Sequence, residues 1–291
     1  MKKSLIPILT VVAALVVIWY GAAVALNMPW AKDQAKRAGT EPGFSELVAD
    51  TWSQDKPKLP APHQVVVEIW NTTVVMVAKG RGLSKRSLIY HSWVTLSATG
   101  LGFLMGTVLG ILLAVGIVYN RVMDMSVMPW VIASQTIPIL AIAPMIIVVL
   151  NAVGISGLLP KAMISMYLSF FPVVVGMVKG LRSPGVMQLD QMKTWSATRG
   201  QQFWRLRLPS SMPYLFASLK VAMAASLVGA IVGELPTGAI AGLGARLLAG
   251  SYYGQTIQIW SALIMAAALA AVLVALIGVI QRVVLKRMGM A

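Results

Sequence analysis

The stretch IQIWSALIMAAALAAVLVALIGVI, residues 257–280, runs for 24 residues without a charged side chain. A helix rises about 1.5 Å per residue, and the hydrocarbon core of a bilayer is roughly 30 Å thick. This run is therefore long enough to cross a membrane. A soluble protein core of this size would interrupt it with charge. Four further runs of the same kind lie upstream at 93–119, 128–150, 158–178 and 214–235, and another at the start of the chain, 4–26. Segments of about ten residues with alternating polarity, the mark of a membrane barrel, are absent from the sequence.

The fold class that follows is all-α, a polytopic helical membrane protein with about six transmembrane helices. Composition agrees, since 58% of the 291 residues are hydrophobic and only 11% charged. There is no cysteine, which excludes disulfides, thiol nucleophiles and Cys-based metal sites, and two histidines, His63 and His91, do not suggest a metal centre. The formal charge of +15 is read as orientation of the spans by flanking Lys and Arg, and not as nucleic-acid binding. With a cytoplasmic N-terminus, 13 basic residues face two acids, Asp124 and Asp190, on the inner side. Both termini are then cytoplasmic. Lys2, Lys3 and the small residues Ala23, Val24 and Ala25 would also suit a cleavable signal peptide, but the apolar stretch is longer than a usual signal core and a retained helix is expected.

The chain divides into a first transmembrane helix at 1–26, an external segment at 27–91 with a surface helix over 64–79, and a five-helix core at 92–287. Trp30, Phe44 and Trp52 suggest that the external segment packs on the protein or lies at the membrane interface. In the second span, Gly102, Gly106 and Gly110 repeat every four residues and line one face, which permits close helix contact within the chain or between subunits. The third span holds Pro138 and Pro144, with Gln135 and Thr136 just before them. Proline frees backbone carbonyls, so this helix is expected to bend beside a polar pathway. Ser165, Tyr167 and Ser169 in the fourth span and Glu234 in the fifth complete the candidate path. Glu234, near the outer end of the fifth span, is either a functional intramembrane carboxylate or a structural one paired with Arg246 or backbone amides.

Between the fourth and fifth spans lies a basic loop, 181–212, containing Asp190-Gln191-Met192, then three residues, Ser196, nine residues, Leu206, one residue, and Leu208-Pro209. This spacing resembles the cytoplasmic signature of permease subunits of type I ATP-binding-cassette importers: Glu-Ala-Ala, three residues, Gly, nine residues, Ile, one residue, Leu-Pro. Only Leu-Pro is identical. Ser196 occupies the glycine position, and Gly200 lies four residues too late for it. The order of Ile137-Pro138 to Pro144, Gly154-Ile155-Ser156, Phe170-Phe171-Pro172, Gly180 to Ser183, Gly233-Glu234 and Gly242-Leu243-Gly244 is similar to permeases for nitrate, sulfonates, taurine and thiamine-related pyrimidines.

The resemblance implies a subunit of an ATP-driven, binding-protein-dependent importer in the bacterial inner membrane, forming the path for a small polar solute. Partners would be ABC ATPase subunits that bind ATP and Mg, a second permease copy, and a periplasmic or lipid-anchored substrate-binding protein. The loop would carry a coupling helix, with Asp190, Gln191, Met192, Trp195, Ser196, Arg199, Leu206, Leu208 and Pro209 as its coupling residues. Met192, Trp195 and Phe203 would anchor it, and Arg199, Arg205 and Arg207 would orient it or meet the partner or anionic lipid. No Gly-x-x-x-x-Gly-Lys-Ser/Thr phosphate loop, catalytic triad or paired carboxylates is found in the chain, so it is not expected to be an enzyme. A secondary transporter or channel working alone is the alternative, and it would need intramembrane acids or histidines, of which Glu234 is the sole candidate.

Overall fold

A computed structural model describes residues 2–235 and 241–290. Among the described residues there are helices and no strands. Five helices are long and apolar enough to cross a membrane, and a sixth span is complete if a sharply bent pair counts as one. The chain forms two compact units, residues 1–91 with 245–266 and residues 92–244 with 267–291.

The first unit begins with α1 (Lys2–Ala38), a single helix that carries Pro7 and Pro29 and continues past the membrane run expected to end at residue 26. Its first half exposes Leu9, Val12, Leu15 and Ile18, as a lipid-facing helix would. Next come α2 (Phe44–Ser53) and α3 (Pro62–Trp70), and α3 runs through a π-turn at Asn71–Val75 into α4 (Met76–Ala78). The external segment is held by one residue in particular. Asn27 is fully buried. Its side chain donates to the carbonyls of Thr51 at 3.1 Å and Leu59 at 2.8 Å and accepts from the amides of Lys58 at 2.9 Å and Leu59 at 3.2 Å. All the bonding capacity of a buried amide is thereby used, as burial requires. Trp52 meets Tyr20 edge-on and Trp19 donates to Pro60 O, so Trp52 packs on the protein, whereas Trp30 and Phe44 are exposed. Residues 245–252 of α12 (Leu243–Tyr252) and the start of α13 (Thr256–Arg287) complete the unit.

The second unit contains most of α5 (Leu88–Tyr119), then α6 (Arg121–Ala133), α7 (Ile139–Ala152), α8 (Leu158–Leu181), α9 (Val186–Thr194), α10 (Arg199–Gln202) and α11 (Leu208–Glu234). Lipid tails are as apolar as leucine, so burial alone does not drive these helices together and close backbone approach must. The glycine row of α5 provides it. A Cβ at Gly102 would collide with Ser165 and at Gly106 with Ser169, while at Gly110 it would stand 2.8 Å from the Val173 side chain. The row therefore packs within the chain, against α8. On the α11 side a Cβ at Gly229 would lie 2.7 Å from Ser165 Cα and 3.0 Å from Ile164 O. Toward the other end, Ala114, Ile117, Val131, Val174, Met177 and Leu181 form a buried apolar cluster that joins α5, α6 and α8.

The third span departs from a simple kink. α6 and α7 meet at 103° across Ser134–Thr136, a 3-10 turn, and Ile137-Pro138, so the helix is broken and not merely bent. Pro129 and Pro144 sit inside the two pieces without breaking either. The fifth span also differs. The helix starts well before residue 214, at Arg199, and continues through a π-turn at Phe203–Arg207 into α11. Pro209 explains the turn: its missing amide and its ring disrupt the bond to the carbonyl four residues back, and a wider turn accommodates both.

Candidate functional site

The loop between α8 and α11 is a helical elbow. α9 carries Asp190, Gln191 and Met192 and ends at Trp195. Ser196 then adopts φ 54°, the only positive φ of a non-glycine residue among those described. Its amide donates to Lys193 O at 2.8 Å, and the amide of Ala197 donates to Met192 O at 3.0 Å. This pair of bonds is a Schellman motif, whose left-handed residue is usually glycine. Left-handed geometry costs an L-residue about 1–2 kcal/mol, which is the physical reason a glycine would suit this position. Gly200 is inside α10, with no need of that freedom.

Thr198 starts the second arm. Its hydroxyl accepts from the amide of Gln201 at 3.3 Å, and Gln201 Oε1 accepts from the amide of Thr198 at 2.9 Å. This is a capping box.

The base of the elbow is tied to the spans. Arg182 pairs with Asp124 at 2.8 Å. Arg207 Nη1 donates to Leu181 O at 2.7 Å and its guanidinium lies over the Tyr119 ring. Phe203 meets Tyr119 edge-on and packs on the apolar cluster of α5, α6 and α8. Leu206, Leu208 and Pro209 are half-buried at this base. Phe203 and Arg207 thus hold the elbow to its own chain. The tip is different: Asp190, Gln191, Ser196 and Arg199 are exposed, and Trp195 and Met187 are 68% and 86% exposed. Asp190 is paired with Lys193 on its own helix at 2.8 Å, and Met192 is half-buried.

The candidate path residues fall into two groups. Ser165 and Ser169 are fully buried where α8 meets α5 and α11. Ser165 Oγ donates to Ser226 O at 2.7 Å and lies 2.5 Å from Ser226 Oγ, which itself reaches Thr99 O at 2.9 Å. Ser169 lies 3.4 Å from Gly102 O. These hydroxyls fasten helices together. Gln135, Thr136 and Pro138 are exposed at the break between α6 and α7. Tyr167, which follows Ser165 by two positions and so points away from it, donates its hydroxyl to Ser134 O at the break. Thr136 Oγ1 donates to Ala133 O at 2.7 Å, so hydroxyls satisfy carbonyls that the broken helix releases.

Glu234 belongs to neither group. It is fully buried. Thr95 donates to its two carboxylate oxygens at 2.9 and 3.0 Å, and the amide of Gly244 donates to Oε2 at 2.8 Å. Thr95 Oγ1 in turn accepts from the amide of Leu243 at 2.9 Å. Two side chains from distant parts of the sequence therefore satisfy the first two amides of α12, where a negative charge also complements the helix dipole. Gly242, at φ 125°, and Gly244 leave room for this, since a Cβ on Gly242 would strike the carboxylate and one on Gly244 would stand 2.8 Å from Glu234 Cβ. Of the partners considered for a structural Glu234, Arg246 or backbone amides, the amide of Gly244 bonds to it, together with the Thr95 hydroxyl. Pro236, Thr237 and Gly238, which follow it in the sequence motif, lie outside the described residues. In the other unit, Arg246 has Glu68 as its nearby charge, which raises its pKa against the larger lowering by burial.

Sequence reasoning missed Thr95, Ser226 and Gly229. A signal existed in the hydroxyl-bearing residues Ser92, Thr95, Ser97 and Thr99 within an otherwise apolar run. The pairing with Glu234, 139 positions away, had none.

A family model described as the binding-protein-dependent transport system inner membrane component matches residues 106–290, which include the elbow, the broken span and Glu234. The formylaminopyrimidine transport permease protein ThiX of Halalkalibacterium halodurans is 33% identical over 186 residues, 64% of this chain and 68% of its own. The riboflavin transport system permease protein RibX of Chloroflexus aurantiacus is 28% identical over 228 residues, 78% of this chain and 80% of its own. The nitrate import permease protein NrtB of Leptolyngbya laminosa is 24% identical over 220 residues, 75% of this chain and 76% of its own.

Proposed function

The chain belongs to the family of binding-protein-dependent transport system inner membrane components, the permease subunits of ABC importers, and from that premise we propose that the α9–α10 elbow couples ATP hydrolysis in a partner to movement of the spans. The observation that carries this is the contrast within the elbow: an exposed tip at Asp190, Gln191 and Trp195, and a base fixed to α5, α6 and α8 through Arg207, Phe203 and the Arg182–Asp124 pair. A partner gripping the tip would move the elbow and the ends of the spans as one body. Asp190, Gln191, Met192, Trp195, Ser196 and Arg199 are then the docking side, and Leu206, Leu208 and Pro209 the join to the fifth span.

ATPase subunits bind ATP and Mg, two permease copies form the path, and a periplasmic or lipid-anchored binding protein delivers the solute. The elbow and both termini face the cytoplasm. Gln135, Thr136 and Pro138 line the path at the break between α6 and α7, with Tyr167 bracing that break from behind. The solute is small and polar, of the pyrimidine or vitamin type transported by relatives such as ThiX and RibX, or of the nitrate type.

The test is ATP-driven uptake in vesicles holding the whole complex. Asp190→Lys or Trp195→Glu should abolish uptake and ATPase retention during purification while the permease still inserts. Full uptake with normal ATPase retention in both variants would sink the coupling role.

A further inference from the structure

Lys220 of α11 and the second half of α13 enclose a groove of about 600 Å³, lined by Lys220, Val274, Gly278, Val279, Arg282 and Leu285. Its chemistry is unlike the rest of the fifth and sixth spans. Lys220 is half-buried and lies across the α13 backbone, because a Cβ on Gly278 would stand 3.7 Å from Lys220 Cε and 3.8 Å from Nζ. Arg282 Nε is 3.4 Å from Gly278 O, which brings the second cation to the same glycine. No acidic residue lines the groove. Among the described residues neither cation has a salt bridge, the pairs being Arg182 with Asp124 and Lys193 with Asp190. Two cations beside an apolar span without a carboxylate attract an anion.

What surrounds them identifies the anion. The remaining walls of the groove are mostly apolar, formed by Val274, Ala275, Val279 and Leu285 of a helix of membrane-spanning length. Arg282 stands close to the basic terminus marked by Lys286 and Arg287, the water-facing end of the helix. Lys220 reaches toward that level with the length of its stem. A small hydrated anion would gain nothing from the apolar walls. A phospholipid has both parts in the required order, phosphate at the surface and acyl chains below.

We propose that this groove binds an anionic phospholipid, with its phosphate between Lys220 and Arg282 and an acyl chain along Val279 and Val274. Basic pockets between membrane helices hold such headgroups in general. The site is separate from the elbow and from the α6–α7 break, so it stands whether or not the coupling role does.

Native mass spectrometry of the delipidated full-length permease, titrated with phosphatidylglycerol or phosphatidylcholine, tests it. The wild type should retain phosphatidylglycerol in preference to phosphatidylcholine. Lys220→Gln and Arg282→Gln should each weaken phosphatidylglycerol retention about fivefold and leave phosphatidylcholine unchanged, while Lys286→Gln, outside the groove, should have a smaller effect. Gly278→Leu keeps both charges but fills the groove, and it should also lose the lipid. Equal retention of the two lipids, indifference to all three groove variants, or displacement of phosphatidylglycerol by millimolar inorganic phosphate would overturn the proposal, the last by showing a site for the free anion.

Discussion

α8 has two faces that meet very different neighbours. On one, Ser165 and Ser169 are fully buried against glycines of α5 and α11, at distances where a single added methyl would strike backbone. On the other, Tyr167 reaches the break between α6 and α7, where Gln135, Thr136 and Pro138 are exposed and released carbonyls are satisfied by hydroxyls. Close-packed interfaces have few alternative arrangements, whereas a broken helix with exposed side chains at the break can change its angle at smaller cost. One helix thus presents a fixed seam and a place where movement is permitted.

The sharpest way to break that comparison is at the seam. Gly229→Val places side-chain atoms against the α8 backbone and should destabilise by more than the roughly 1–3 kcal/mol of ordinary overpacking. Gly100→Ala, with nothing within 4 Å of the new methyl, should instead be neutral or stabilising. Thermal unfolding in detergent separates the two, and equal melting temperatures would remove the distinction between a seam and an ordinary contact.

Glu234→Ala is expected to come next, because Thr95 and the Gly244 amide lose their acceptor in a buried setting, at about 1–3 kcal/mol. Glu234→Gln keeps one acceptor oxygen and should cost less. If alanine and glutamine unfold at the same temperature as wild type, the capping role of the carboxylate is wrong. Tyr167→Phe removes the single bond to the break, worth about 1 kcal/mol. It should alter protease or hydrogen-exchange accessibility at residues 134–138 more than the melting temperature, and a change confined to global stability would contradict the separation of the two faces. Ser196→Gly has the smallest expected effect. Relief of the left-handed conformation, offset by the entropy of a freer unfolded chain, should protect α9 amides by about 1 kcal/mol or less.

The elbow was readable from sequence to an unusual degree. Leu-Pro and a fixed spacing put Ser196, and not Gly200, in the glycine position of the signature, and the structure gives Ser196 the left-handed conformation. Local geometry explains this success: a Schellman turn and a capping box involve residues within five positions of one another, so the pattern survives in a linear string. The start of the fifth span was read too late because a π-turn that absorbs Pro209 leaves no hydrophobic signature. Among the path candidates, Ser165 and Tyr167 looked alike in sequence as polar residues in an apolar run. Only their facing separates them, and that depends on which helix lies on each side.

Apolar runs of about 20 residues nearly free of charge, together with the lack of any alternating ten-residue pattern, were enough by themselves to determine a helical membrane protein, because the bilayer demands internally satisfied backbone and fixes the length. The sequence likewise determined the close-contact row Gly102, Gly106 and Gly110. Tertiary structure alone decided that this row meets α8, that the third span breaks by 103°, and that Glu234 joins Thr95 to cap α12. These are contacts between helices distant in sequence. In a bilayer they are selected by shape and by hydrogen bonding between buried groups, neither of which a hydropathy pattern records.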